Sequence, residues 1–126
     1  MDGPFYVEIL QQHIGQVNRM LGGQWRFQQD NDPKHTSRVA KAFLAENVPE
    51  LMDWPSCSPD LNPIENIWYI VKHHVEKRMP KNLAELERFM VGEWNSIPET
   101  IIMNLIGSMK RRCELVIENN GLVIDF

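Results

Sequence analysis

The chain has 126 residues, 43% of them hydrophobic and 24% charged, with thirteen Lys and Arg against seventeen Asp and Glu and a net charge of −4. That length suits a single core, and the proportions are those of a soluble globular chain rather than a disordered, collagenous or disulfide-built one. No apolar run approaches the roughly 20 residues that cross a bilayer, Met1-Asp2-Gly3-Pro4 carries no mark of a secretory leader, and Cys57 and Cys113 lack zinc or disulfide spacing, so an intracellular chain with reduced thiols is expected.

Phe5, Ile9, Leu10, His13, Ile14, Val17 and Leu21 recur every three or four residues, which predicts an amphipathic helix over 4–21, opened by Pro4 and closed by Gly22-Gly23. Trp25 to Asp30 alternates apolar and polar side chains before the turn Asn31-Asp32-Pro33, the pattern of a short strand. Thr36 or Ser37 can cap a second helix carrying Val39, Ala42, Phe43 and Leu44 up to Asn47. Glu50 to Trp54 reads as a weaker strand, parallel to the first.

Residues 55–63 hold three prolines in nine positions, so no regular structure is expected there. Pro63 is then well placed to open a helix with the apolar stripe Ile64, Ile67, Trp68, Val71 and Val75. Leu83, Leu86, Phe89, Met90 and Trp94 mark a further helix. Ile101, Leu105, Met109, Cys113, Val116 and Ile117 mark a last one, ended by Asn119-Asn120-Gly121. An alternative pairs 115–118 with 122–125 across the Asn-Gly turn as a hairpin, but the helical period reaching back to Ile101 favours the helix. The sum is an α/β chain that is mostly helical.

Two carboxylates stand out. Asp30 lies at the carboxyl end of the first predicted strand, where ligand sites of α/β sheets gather; read alone, it is also an ordinary turn-forming Asp. Glu65 is the third helical residue after Asn62, where it could act as a capping-box acid. Presented together from a strand end and a helix, such a pair can hold divalent cations for a phosphodiester displacement, and oxygen ligands suit magnesium. Thirty-four residues separate the two.

The words around these acids are more specific. Phe27-Gln28-Gln29-Asp30-Asn31-Asp32-Pro33-Lys34-His35-Thr36-Ser37 and Trp54-Pro55-Ser56-Cys57-Ser58-Pro59-Asp60-Leu61-Asn62-Pro63-Ile64-Glu65-Asn66-Ile67-Trp68 closely resemble the catalytic core of Tc/mariner-superfamily DDE transposases. The resemblance runs from about Met1 to Gly121. It implies an RNase H-like fold and an Asp-Asp-Glu triad whose second Asp falls on Asp30 and whose Glu falls on Glu65, with the spacing of the Tc-like branch. It implies DNA cleavage and joining at transposon ends with Mg2+ or Mn2+, hence DNA transposition and integration, and action in the nucleus.

The chain also departs from that pattern. Only twenty-nine residues precede Asp30, and Asp2 is too near to be the first acid of the triad. The expectation is a carboxyl-terminal portion of one catalytic domain, spanning 1–126, without the first three strands or the transposon-end-reading region. Its two-metal site would be incomplete and the chain inactive alone. An open strand edge then invites a second copy or a full-length transposase. The alternative is a non-catalytic remnant that binds DNA or protein.

Because the whole chain is mildly acidic, DNA contacts have to come from local clusters: Lys72, Lys77 and Arg78 on and after the Glu65 helix, and Lys110, Arg111 and Arg112 on the last. Such runs are solvated faces or salt-sensitive phosphate contacts. Lys34 and His35 follow Asp30 directly; the resemblance puts them near substrate phosphate, while the residues alone allow a solvated turn. His73 and His74 are adjacent on a helix and share no face, so no metal is assigned to them.

Overall fold

Asp2 starts the first helix: its Oδ1 accepts the Phe5 N–H at 3.0 Å, and the helix α1 (Gly3–Leu21) follows, with Pro4 in its first turn. The computed structural model describes all 126 residues. They form six α-helices and two short strands in two units, Met1–Cys57 and Ser58–Phe126. No helix is long and apolar enough to cross a membrane.

In the first unit, α1 buries Gly3, Tyr6, Val7, Leu10 and Ile14. The stripe is turned from the expected one, since Phe5 and Leu21 are exposed. Gly3 explains the rotation: its Cα lies so close to Ser37 that an added Cβ would sit 2.4 Å from the Ser37 hydroxyl. A face carrying glycine can meet the second helix where one carrying Phe5 cannot. Helix α2 (Arg38–Asn47) begins at that serine, whose Oγ accepts the Ala40 N–H at 3.3 Å, and buries Ala40 and Leu44 against α1.

Strands β1 (Arg26–Phe27) and β2 (Glu50–Leu51) are parallel, as expected, with Arg26 opposite Glu50 and Phe27 opposite Leu51. Both are shorter than their sequence patterns. Each strand has only the other to bond to, so the ladder stops after Met52 N–H donates to Phe27 C=O. Past it, Asn31 holds the two chain segments together, its Nδ2 donating to Trp54 C=O at 2.9 Å and to Ser56 Oγ at 3.2 Å.

In the second unit, the proline-rich segment is not wholly irregular: Pro59–Leu61 makes one 3₁₀ turn, which proline at its first position permits. Helix α3 (Pro63–Lys77) follows, with Asn62 Oδ1 accepting the Ile64 N–H. It buries Ile67, Val71 and Val75 against α4 (Leu83–Asn95) and α5 (Glu99–Gly107), while Ile64 is exposed and the Trp68 ring lies tilted against Trp94, 5.2 Å between centroids. At the far end of α3, Arg78 and His74 both bind Glu93 of α4, and the Arg78 guanidinium covers the Phe89 ring. Hydrogen bonds from Arg78, then His74, hold the Glu93 carboxyl below its ordinary pKa.

Two expectations are corrected here. The single core is two separate apolar clusters, one in each unit, because each set of helices closes on itself. The single last helix is two, α5 and α6 (Met109–Glu118), broken at Ser108. Gly107 offers little helical preference and the Ser108 hydroxyl bonds back to Leu105 C=O at 2.6 Å, a pairing that bends helices. The helical phase carries through the bend, which is why the apolar period did not reveal it. The helix, not the hairpin, occupies 109–118. It ends in a Schellman motif: Asn120 has φ 53°, Gly121 N–H bonds Val116 C=O and Asn120 N–H bonds Ile117 C=O.

Candidate active site

Asp30 leaves β1 three residues on and remains exposed, but its carboxylate is not free on both sides. Oδ1 accepts the Asp32 N–H at 3.1 Å and faces His35 Nδ1 at 2.5 Å, while Oδ2 has no protein partner. The Asp32 amide first, and His35 after it, hold the Asp30 carboxyl below the usual range although partial burial opposes them. Asp30 is therefore ionised at neutral pH, as a metal ligand must be.

His35 is itself held. Its ring is mostly buried and lies 4.3 Å from the Tyr6 ring, its C=O accepts Gln29 Nε2 at 3.2 Å, and Gln29 Oε1 accepts the Tyr6 hydroxyl at 2.8 Å. Burial, then the nearby Asp30 charge, pushes the Tyr6 phenol up to about 12. Asp30 thus rests on a chain of contacts that begins in α1. Lys34, next to it, is committed to Asp32, which its ammonium and amide hold below the ordinary pKa.

Glu65 lies in the first turn of α3 and is exposed. The capping-box role fails: the cap is made by Asn62 alone, and the Glu65 carboxylate forms no hydrogen bond or ion pair. Instead, the backbone around it is held. Arg112, expected on a DNA-facing surface, is fully buried. Its Nε donates to Ser108 Oγ, one terminal nitrogen to Asp60 C=O and the other to Asn66 Oδ1, each at 2.9 Å. Burial lowers its pKa, and it is withdrawn from the DNA contacts.

The other basic residues divide. Lys72 and Lys77 are exposed with no acidic partner. Arg78 is spent on Glu93 and Phe89. Lys110 is 3.9 Å from Glu114, and Arg111 pairs with Glu114 and Glu118 on its own helix, so both remain at the surface. No three His, Cys, Asp or Glu side chains gather into a metal cluster.

Tyr6, Gln29, Asn31, Asp60, Asn66 and Arg112 were not read as supports from the sequence. One signal was available: Leu105, Met109, Arg112 and Val116 recur at helical spacing, placing Arg112 on the inner face and leaving Cys113 exposed. No sequence signal ties Tyr6 to Gln29.

The profile of the DDE superfamily endonucleases matches residues 3–87, and the chain belongs to that family. Its relatives are Tc-like transposases of the Tc/mariner group. It is 40% identical over 122 residues to the transposable element Tcb2 transposase of Caenorhabditis briggsae, covering 96% of this chain and 45% of the relative. It is 42% identical over 101 residues to the Tc1 transposase of Caenorhabditis elegans, covering 80% and 37%. To the Tc3 transposase of the same species it is 31% identical over 129 residues, covering all of this chain and 39% of the relative. The chain thus spans less than half the length of these relatives.

Proposed function

We propose that this chain is the carboxyl-terminal portion of the catalytic domain of a Tc/mariner-like DDE transposase. In this reading it is a partial RNase H-like fold without the first three strands of the family sheet, and both units belong to that one domain. The observation that carries the reading is a family match over residues 3–87, a span that holds two exposed acids, each with oxygen that no protein group engages.

Hard carboxylate oxygens of this kind fit Mg2+ or Mn2+. Held by Asp30 and Glu65, such ions would supply the positive charge that a phosphodiester displacement needs. The chain's own part is to present donors. Asp30 offers one oxygen while His35 and the Asp32 amide fix the other. Glu65 offers its whole carboxylate from a capped helix end. These are two of the three acids of the family triad, so the two-metal site is incomplete within these residues and the chain does not cleave DNA by itself.

The substrate in the reading is DNA, at transposon ends and target. Of the basic clusters, Lys72 and Lys77, with Lys110 and Arg111, stay at the surface and can meet phosphates, a contact that gives salt-sensitive affinity without reading sequence. Lys34 and His35 engage the acids beside them, Asp32 and Asp30, next to where the substrate phosphate is expected. The nucleus is the proposed site of action. A second copy or a full-length transposase is the proposed protein partner, through the outer edges of the two-stranded sheet.

Calorimetry with Mn2+ tests the metal reading: binding is expected in the chain as it stands and is lost in Asp30→Ala and in Glu65→Ala. Absence of binding, or binding indifferent to both changes, removes the two acids from the site. A plasmid-nicking assay with Mg2+ or Mn2+ should leave the plasmid intact, and cleavage that Asp30→Ala abolishes would overturn the claim of incompleteness.

A further inference from the structure

Helix α3 carries Glu65 in its first turn, the part of a helix whose amides lack partners four residues back and which frays most readily. Its entry is unusually constrained. Arg112, from α6, reaches the Asp60 carbonyl before that turn and the Asn66 side chain immediately after Glu65. The Asn66 amide is used from both ends, since its Nδ2 donates to Phe126 C=O at 3.1 Å. The segment after α6 closes over the same place: Ile124 N–H donates to Asp60 Oδ2 at 3.0 Å, and the Phe126 ring lies 4.4 Å from the Arg112 guanidinium.

Every oxygen that Arg112 binds belongs to a neutral group, a hydroxyl, a peptide carbonyl and an amide. The Asp60 carboxylate favours the buried cation by its charge without bonding it, but a buried ion is a poor source of stability, and apolar residues of similar volume commonly serve as well or better. What the guanidinium supplies is geometry. It is a planar fork with donors in fixed directions, and a lysine cannot span the same three acceptors.

We propose that Arg112 is a positioning residue for Glu65, clamping Asp60 and Asn66 so that the turn between them presents the Glu65 carboxylate in one direction. The inference rests on the reading of Glu65 as a metal ligand. It goes beyond that reading by assigning a role to α6, which lies outside the residues matched by the family profile.

Amide hydrogen exchange by NMR on the full chain provides the test, with Arg112→Lys keeping a cation in place and sparing the fold. The amides of Leu61, Asn62, Ile64 and Glu65 are hydrogen-bonded within the clamped turn and can be followed one by one. In Arg112→Lys they are expected to exchange about tenfold faster while Val71 and Val75 keep their protection, the signature of local rather than global opening. Asn66→Leu should do the same, and the double variant no more than either, because both remove one linkage. Manganese-induced broadening at Glu65 should weaken in these variants.

Unchanged exchange at 61–65 in Arg112→Lys, or a loss shared equally with Val71 and Val75, overturns the proposal. So does full additivity of the two changes. If the unmodified chain shows no manganese broadening near Glu65, the metal reading fails separately, and exchange still decides whether Arg112 orders the turn.

Discussion

The two acids are supported in opposite ways. Asp30 is held by contacts to the carboxylate itself, with His35 and the Asp32 amide on one oxygen and Tyr6 and Gln29 behind the histidine. Glu65 has no contact on its carboxylate; the backbone on either side is fixed instead, through Asn62, Asp60 and Asn66. The difference follows from local structure. Asp30 sits in an irregular turn past a two-residue strand, where only side-chain bonds can define a direction. Glu65 sits on a helix, where defining the backbone is enough.

That contrast can be broken most severely at Arg112. Arg112→Ala removes three hydrogen bonds and leaves a void where a guanidinium was buried, so a loss on the order of 3 kcal/mol is expected, read as a lower denaturation midpoint. A surface basic residue would cost almost nothing, so a null result would return Arg112 to the solvent-facing role first expected of it.

A smaller effect is expected on the Asp30 side. Gly3→Ala forces a Cβ against Ser37, just past the turn that carries His35, and should cost about 1–3 kcal/mol. The α1 amides should lose protection, and the His35 ring resonances should shift as their turn is displaced. A stable variant with unmoved His35 resonances would mean that the α1 contact does not support the Asp30 turn.

The smallest expected effect lies at the far end of α3, where charge rather than a neutral clamp does the holding. Glu93 is depressed by Arg78 and His74, so its contribution is present above the unfolded carboxyl value of about 4.3 and is lost as pH falls through the lower folded value. Denaturation of Glu93→Gln across pH 6 to 3 should therefore start from lower stability at pH 6 and converge with the unmodified chain at the acid end. Parallel curves would show that the charge of Glu93 is immaterial there.

Much of this was legible before any coordinates. The caps at Ser37, Asn62 and the Asn-Asn-Gly end of α6 were visible because capping depends on neighbours three or four residues apart. The family was visible because long motifs surround Asp30 and Glu65. The strands were overread, since strand length depends on a distant partner that proved to be two residues long. The α5–α6 break was missed because a bend that preserves helical phase leaves the apolar period intact.

What the amino-acid order determined by itself is local and chemical: helix positions, most termini and the family to which the chain belongs. Only the tertiary structure decided which face of α1 is buried, that His35 binds Asp30 and that Arg112 is an interior residue. Those outcomes depend on groups brought together from 23 residues apart, as with Tyr6 and Gln29, or 52, as with Asp60 and Arg112. Burial reverses the meaning of a charged side chain, and burial is a property of the packed chain, not of the residue.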